Sequence, residues 1–412
     1  MNKVQDKLNS IDLVVIHFEK ELKSIIKDKG ALLILIGAMI IYPVIYSFVY
    51  YYETLNDLPI AVVDLDRSPA SRKYFKMIDA TSEIEIIKET MDLQKAKSLF
   101  LNNKIDGVVL IPKGFERDVY SGKQANVSVY ADASYFLKYK NQFMAVSYVN
   151  AYFSGGIAVK RYMAEGKSFE QAVVSNNPLS LQTHILYNPN SGYATFVMPG
   201  MILIIIQQTL LIGIGLMGGS FSESKGSPFL LEGRSRRKEV VPLLIGKATA
   251  YLLISLINVV IAVIMVHHWF NYPDKSSILD VLMLLLPYLL SIIFLGIGIS
   301  TLFIHRESAI VFMVFLSPIA LFVSGISWPG SAIPDWLFSI SKLMPSTTAV
   351  PAYLRLRTMG VGILNVKVEL LFLYGQAVVY FLLTTIYFFK RIRMDERGVI
   401  AAQHQKHTIT ST

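Results

Sequence analysis

Residues 31–72 read ALLILIGAMIIYPVIYSFVYYYETLNDLPIAVVDLDRSPASR, and two structural regimes meet inside them. From Ala31 to Tyr52 there is no charged residue. A helix rising ~1.5 Å per residue needs about 20 apolar residues to cross a hydrocarbon core ~30 Å thick, so this run is long enough to span a bilayer. After a polar turn the pattern changes. Leu58 to Asp64 is a short, β-branched run closed by Asp64 and Asp66, with Ser68 placed to cap the helix that SPASRKYFKMIDA predicts. A span that hands over to a strand and a helix decides the fold class. The chain reads as a polytopic α-helical membrane protein with an inserted α/β domain.

Working outward, five more runs qualify as spans: Thr195 to Gly219, Ala248 to Val266, Val281 to Ile304, Ser308 to Ile326 and Leu370 to Phe389. With 53% hydrophobic and only 17% charged residues in 412, the composition agrees. There is no cysteine, so neither disulfides nor thiolate metal sites are available. The net charge of +9 could suggest nucleic acid, but the basic residues sit at span ends. Lys20, Lys23, Lys27 and Lys29 precede the first span, Arg234, Arg236, Arg237, Lys238 and Lys247 precede the third, and Arg306 and Lys390, Arg391 and Arg393 follow the same parity. By the positive-inside rule both termini are cytoplasmic, and nucleic-acid binding has nothing left to explain.

The predicted segments follow. Residues 1–30 form a cytoplasmic interfacial helix, with Ile11, Val14, Val15, Phe18, Leu22, Ile25 and Ile26 on one face and lysines opposite. Residues 31–52 are the first span and 53–194 an extracytoplasmic α/β domain. Residues 195–391 hold five spans, with a cytoplasmic loop at 220–247 and an outer segment at 327–368. Residues 392–412 form a polar tail without expected order. Within 53–194, strand and helix patterns alternate and then give a long helical region from about Ser134 to Ser175, interrupted at Gly155 and Gly156.

A strand ending in Asp64 and Asp66 also opens aspartate-nucleophile phosphatases. That chemistry needs further carboxylates for Mg²⁺ and a lysine for the phosphate, and Lys113 and Asp132 are the only residues placed for such roles. The second acidic pair is missing. The alternative, that the two aspartates close a strand and cap the next helix, needs nothing more.

Several motifs in order carry a family resemblance: LPIAVVDLDRSPASR, IDGVVLIPKGFERDVYSG and VYADAS in the outer domain, then YNPNSGYATFVMPG (187–200), ESKGSPFLLEGRSRRKEVVPLLIGK (223–247) and VSGISWPGSAIPDWLFSISKLMPST (323–347). Together they resemble the permeases of bacterial ABC exporters of the ABC-2 class, over nearly the whole chain. The resemblance implies no catalytic residue, no metal and no cofactor in this chain, a separate ABC ATPase holding ATP and Mg²⁺, and a second permease, identical or paralogous. It also implies a bacterial inner-membrane location and an outer domain that guides substrate or binds a periplasmic adaptor. Glu223, Gly226 and Ser227 match the lead-in to the family's cytoplasmic coupling helix. Pro228 departs from the usual residue there, although proline is accepted at a first helical position.

The chain has no G-x-x-x-x-G-K-[ST] phosphate loop, so an ATPase must be recruited. Phe229, Leu230 and Leu231 are the expected apolar anchor and Arg234, Arg236 and Arg237 the charged rim, unless the arginines serve only topology. Gln207, Gln208 and Gln376 lie inside spans, where a buried amide must meet protein or a wet path. They line a route or join helices. Tyr42 and Tyr46 belong to an aromatic belt that could also touch an apolar substrate. Behind Pro334, the residues Ile333, Trp336, Leu337, Ile340 and Met344 predict a short helix in the outer leaflet. The function so read is export of an apolar or amphipathic drug, lipid or peptide. A membrane receptor or envelope scaffold without transport is the alternative.

Overall fold

The computed structural model describes residues 9–225 and 237–410, excepting the side chains of 224, 225, 237 and 391–410. It divides into a helical unit, residues 1–51 and 186–412, and an α/β unit, residues 52–185. The nine residues 186–194, assigned by sequence to the α/β domain, belong to the helical unit.

In the α/β unit the strands are β1 (Leu58–Asp64), β2 (Ile84–Thr90), β3 (Gly107–Ile111) and β4 (Ser128–Ala131), in the order β2-β1-β3-β4. β1 runs parallel to β2 and β3, and β4 closes one edge antiparallel to β3. The alternation of β1 divides the core. Ile60 and Val62 pack with Tyr74, Ile78, Phe115, Val146 and Phe153, whereas Ala61 and Val63 pack with Ala96, Ile105 and Val108. The helices in that unit are α3 (Pro69–Asp79), α4 (Leu93–Leu101), α5 (Phe115–Tyr120), α6 (Phe136–Ala164) and α7 (Phe169–Asn176). Ser68 caps α3 by accepting from Ser71 N at 3.0 Å, as its position suggests.

The helical break expected at Gly155 and Gly156 is not there. Both glycines continue α6, and the chain turns instead at Gly166, whose φ of +91° favours glycine, before Ser168 caps α7. Two lone glycines cost a helix only about 1 kcal/mol each, which packing along α6 outweighs.

The helical unit begins with α1 (Ser10–Lys27) and α2 (Lys29–Val49). After the α/β unit come α8 (Tyr193–Lys225), α9 (Val240–Trp269), α10 (Ile278–Ser300), α11 (Arg306–Val323), α12 (Asp335–Ser341), α13 (Pro345–Arg357) and α14 (Lys367–Thr410). Six helices among the described residues are long and apolar enough to cross a membrane, matching the six runs in order, and α8 is the most enclosed.

Two spans contain π-helical turns, Leu33–Gly37 in α2 and Val260–Met265 in α9. Such turns loosen the regular ladder, and each here has a carbonyl that accepts from a side chain elsewhere. Asn258 Nδ2 donates to Leu35 O at 2.7 Å, and Arg357 Nη2 to Val263 O at 2.9 Å. Arg357 is also paired with Asp274 at 3.1 Å.

Three further expectations are corrected. The helical spacing read from Ile333 to Met344 is broken: α12 ends at Ser341, and Met344 stands at the N-cap position of the next helix. That next helix, α13, lies in the segment expected to be an outer loop, yet Ala349, Val350, Ala352, Tyr353 and Leu356 are fully buried against α8, α10 and α14. At about 20 Å it is too short to cross a membrane, so its burial is a matter of tertiary packing. The polar tail is helical too, because α14 continues to Thr410 through residues with no proline to stop it.

Candidate functional site

Asp64 and Asp66 are occupied by hydrogen-bond donors of the fold itself. Asp64 accepts from Asp66 N at 3.0 Å, Arg67 N at 2.9 Å and Ser71 Oγ at 2.7 Å, which ties the end of β1 to α3. Asp66 accepts from Gly114 N at 2.7 Å and Glu116 N at 2.9 Å, capping α5. Burial opposes ionisation of Asp66, but hydrogen bonds from Ser68, Glu116, Gly114 and Phe115 outweigh it and hold the carboxyl below its usual range. Asp132 bonds Ser134, Lys113 is exposed, and no group of three or more His, Asp or Glu able to hold a metal occurs among the described residues. The pair is structural.

The glutamines part company. Gln207 is fully buried and joins helices, donating to Ser346 Oγ at 3.0 Å and accepting from Ser346 N at 2.9 Å at the start of α13. Gln376 does the same for the end of α12, donating to Lys342 O at 2.9 Å and Leu343 O at 3.1 Å. Gln208 is different. It is 6% exposed, and neither its amide nitrogen nor its carbonyl has a protein partner among the described residues.

Gln208 faces a groove of about 400 Å³ between α2, α8 and α11. Tyr42 and Tyr46 from α2 line it, with ring centroids 6.4 Å apart. Ile204, Ile205, Val314 and Leu321 supply apolar walls. Pro318, also in the lining, has no N–H for the Val314 carbonyl four residues back. Three of the five route residues expected from sequence therefore converge, while the other two hold helices together. The arrangement suits a ligand that is mostly apolar with one or two hydrogen-bonding groups, since a carboxamide with two unmet partners is costly in a dry wall.

A second polar cluster was not foreseen. Lys247 of α9 donates to Glu21 of α1 in a buried ion pair, and Tyr251 donates to the other Glu21 oxygen at 2.7 Å. α1 thus packs on α9 in addition to presenting exposed Ile11, Val15 and Ile26. Gly246 permits the approach: a Cβ there would lie 2.6 Å from Val14 O and 2.7 Å from His17 Cβ. The signal was present in the sequence, because Val14, Phe18, Glu21 and Ile25 share one stripe and Glu21 is its single charge.

Burial, followed by the charges of Lys247 and Lys20, lowers His17 to about 4 against the pull of Glu21. His17 resists protonation when folded, while the unfolded chain takes the proton near its ordinary 6.5. The contribution is intact above that value and is lost as pH falls from 6.5 towards 4. The midpoint of thermal unfolding in detergent is expected to drop between about pH 7 and about pH 5, with a smaller drop in His17→Gln.

The expected ATPase contact lies largely outside the described residues: this applies to Gly226, Ser227, Phe229, Leu230, Leu231, Arg234 and Arg236, and to the Arg237 side chain. Glu223 is exposed at the end of α8, 3.8 Å from His305. In the outer segment, Pro334, Trp336 and Ile340 are exposed and Leu337 is half-buried.

Residues 29–386 match the family described as ABC-2 family transporter protein. The chain belongs to the ABC-2 family. The inner membrane transport permease YhhJ of Escherichia coli (strain K12) is 24% identical over 386 residues, covering 90% of this chain and 96% of its own. The probable multidrug ABC transporter permease YbhR of the same organism is 24% identical over 341 residues, 79% of this chain and 84% of its own. ABC transporter G family member 20 of Dictyostelium discoideum is 25% identical over 205 residues, half of this chain, and the match spans only 28% of that longer protein. No solved structure matches. The ABC-2 assignment makes the chain a multi-pass transport permease, and membership of the family implies an ATPase partner and dimerisation.

Proposed function

We propose that this chain is the transmembrane subunit of an ATP-driven exporter in a bacterial inner membrane, and that an apolar or amphipathic substrate passes along the groove at Tyr42, Tyr46 and Gln208. The observation that carries the route is the Gln208 carboxamide, buried in the groove's apolar wall with no partner among the described residues. A substrate with an apolar body and a few hydrogen-bonding groups would meet both needs. Export is favoured over uptake by likeness to a permease described as probable multidrug. The excess of basic residues at alternate span ends supports a topology with both termini, the loop at 220–247 and α1 in the cytoplasm and the α/β unit outside. Two copies, or this chain and a paralogue, would pair with two ATPase subunits whose ATP binding shifts the assembly between inward- and outward-open states. On the outer side, Trp336 and Ile340 of α12 would rest in the leaflet.

The test is to purify the tagged chain from its native membrane in mild detergent, identify what accompanies it and assay vanadate-sensitive ATP hydrolysis. A co-purifying ABC ATPase with turnover is expected. A chain that arrives alone and inert, where a control transporter stays whole, would favour a receptor or scaffold.

A further inference from the structure

The α/β unit has a concavity of about 490 Å³ between the β4 edge of the sheet and α6, within the size range of small-molecule sites. Its floor is apolar: Val129 and Ala131 alternate along one face of β4, and Val127, just before the strand, continues the lining. One wall is aromatic. Tyr139 and Phe143, a turn apart on α6, stack with centroids 5.9 Å apart and planes 22° from parallel. The polar lining comes from Gln124, Asn126, Ser147 and Asn150, and none of the lining residues is charged.

Tyr74 supplies the second observation. Its ring is wedged against Phe115 and Phe153, it is 1% exposed and borders the concavity, and its enclosed hydroxyl has no protein partner among the described residues. Buried hydroxyls are normally satisfied, and this one meets no acceptor among the described residues. Burial also raises the phenol to about 12, so it stays a donor at any physiological pH.

We propose that this concavity binds the pyranose ring of an uncharged saccharide. The absence of charge disfavours phosphates, carboxylates and amines. Side-chain amides carry donors and acceptors together, as do the vicinal hydroxyls of a sugar. An aromatic side chain in the lining supplies the kind of flat apolar face on which the C–H face of a pyranose packs. Free sugar and the headgroup of a glycosylated amphiphile share this chemistry. The site lies within one unit and its test does not depend on ATP turnover.

The full-length chain, in detergent-free phosphatidylcholine nanodiscs, would be titrated with maltose and with octyl glucoside below its critical micelle concentration, using saturation-transfer NMR. Saturation of sugar ring protons is expected, with affinity reduced roughly tenfold in Tyr74→Phe and more in Phe143→Ala. Tyr74→Phe keeps the packing and deletes only the orphan hydroxyl, so a folding defect would not mimic the result. Ring saturation by both probes assigns free saccharide, and by octyl glucoside alone a glycosylated amphiphile. No ring saturation, saturation confined to the alkyl chain, or affinities unchanged in both variants would overturn the proposal.

Discussion

Lys247→Met is expected to destabilise the helical unit by about 3–5 kcal/mol, because it strands the Glu21 carboxylate in the contact between α1 and α9. The side chains of Lys247 and Glu21 are 9% and 6% exposed, so water cannot take over the lost charge. Tyr251 would remain the only partner seen for Glu21 among the described residues. An intact buried pair and a well-packed apolar replacement are often close in free energy, whereas half a pair is not. The double variant Glu21→Met/Lys247→Met should therefore recover most of the loss. Thermal or denaturant unfolding of the detergent-solubilised protein would read both. A cost below about 1 kcal/mol for Lys247→Met would mean that the pair behaves as a solvated surface bridge.

How much of this was legible in the sequence depends on what each feature needs. The spans follow from length and apolarity alone, and all six overlap the runs read from sequence, although α9 begins at Val240, ahead of the run from Ala248, and so takes in Lys247. The α/β elements follow from short periodic runs and from Ser68 as a cap, which local chemistry sets. Tertiary facts were hidden. The sequence PSTTAVPAYLRLR of α13 is short, partly polar and carries two prolines, and only its surroundings make it a core helix. Gln207 and Gln208 are identical in type and adjacent, but successive helical residues point about 100° apart, so one meets Ser346 and the other the groove. Composition cannot say which. Glu21 was the avoidable omission, since a lone acid in an apolar stripe asks for a buried base, and Lys247 stood at the start of the third span.

Phe229→Asp/Leu230→Asp is expected to abolish recovery of the ATPase with the permease. In an interface, a few buried apolar anchors carry most of the free energy, and truncating one costs about 2 kcal/mol or more. Placing a carboxylate in such a pocket adds a desolvation cost, so two together should lower affinity by more than ~10³. Replacing Arg234 and Arg236 by Ala should act differently, slowing association and steepening its loss with salt while leaving some complex at low ionic strength. The comparison separates anchor from rim, and from the topological role that basic residues play beside a span. Folding is monitored independently through the clamp of α1 on α9, whose stability should be unchanged in both variants. If the ATPase remains bound to a folded Asp/Asp variant, docking does not run through this segment. The exposed Glu223 and the exposed face of α1 would then be the next surfaces to substitute, because they flank the same loop in sequence or pack on the span that follows it.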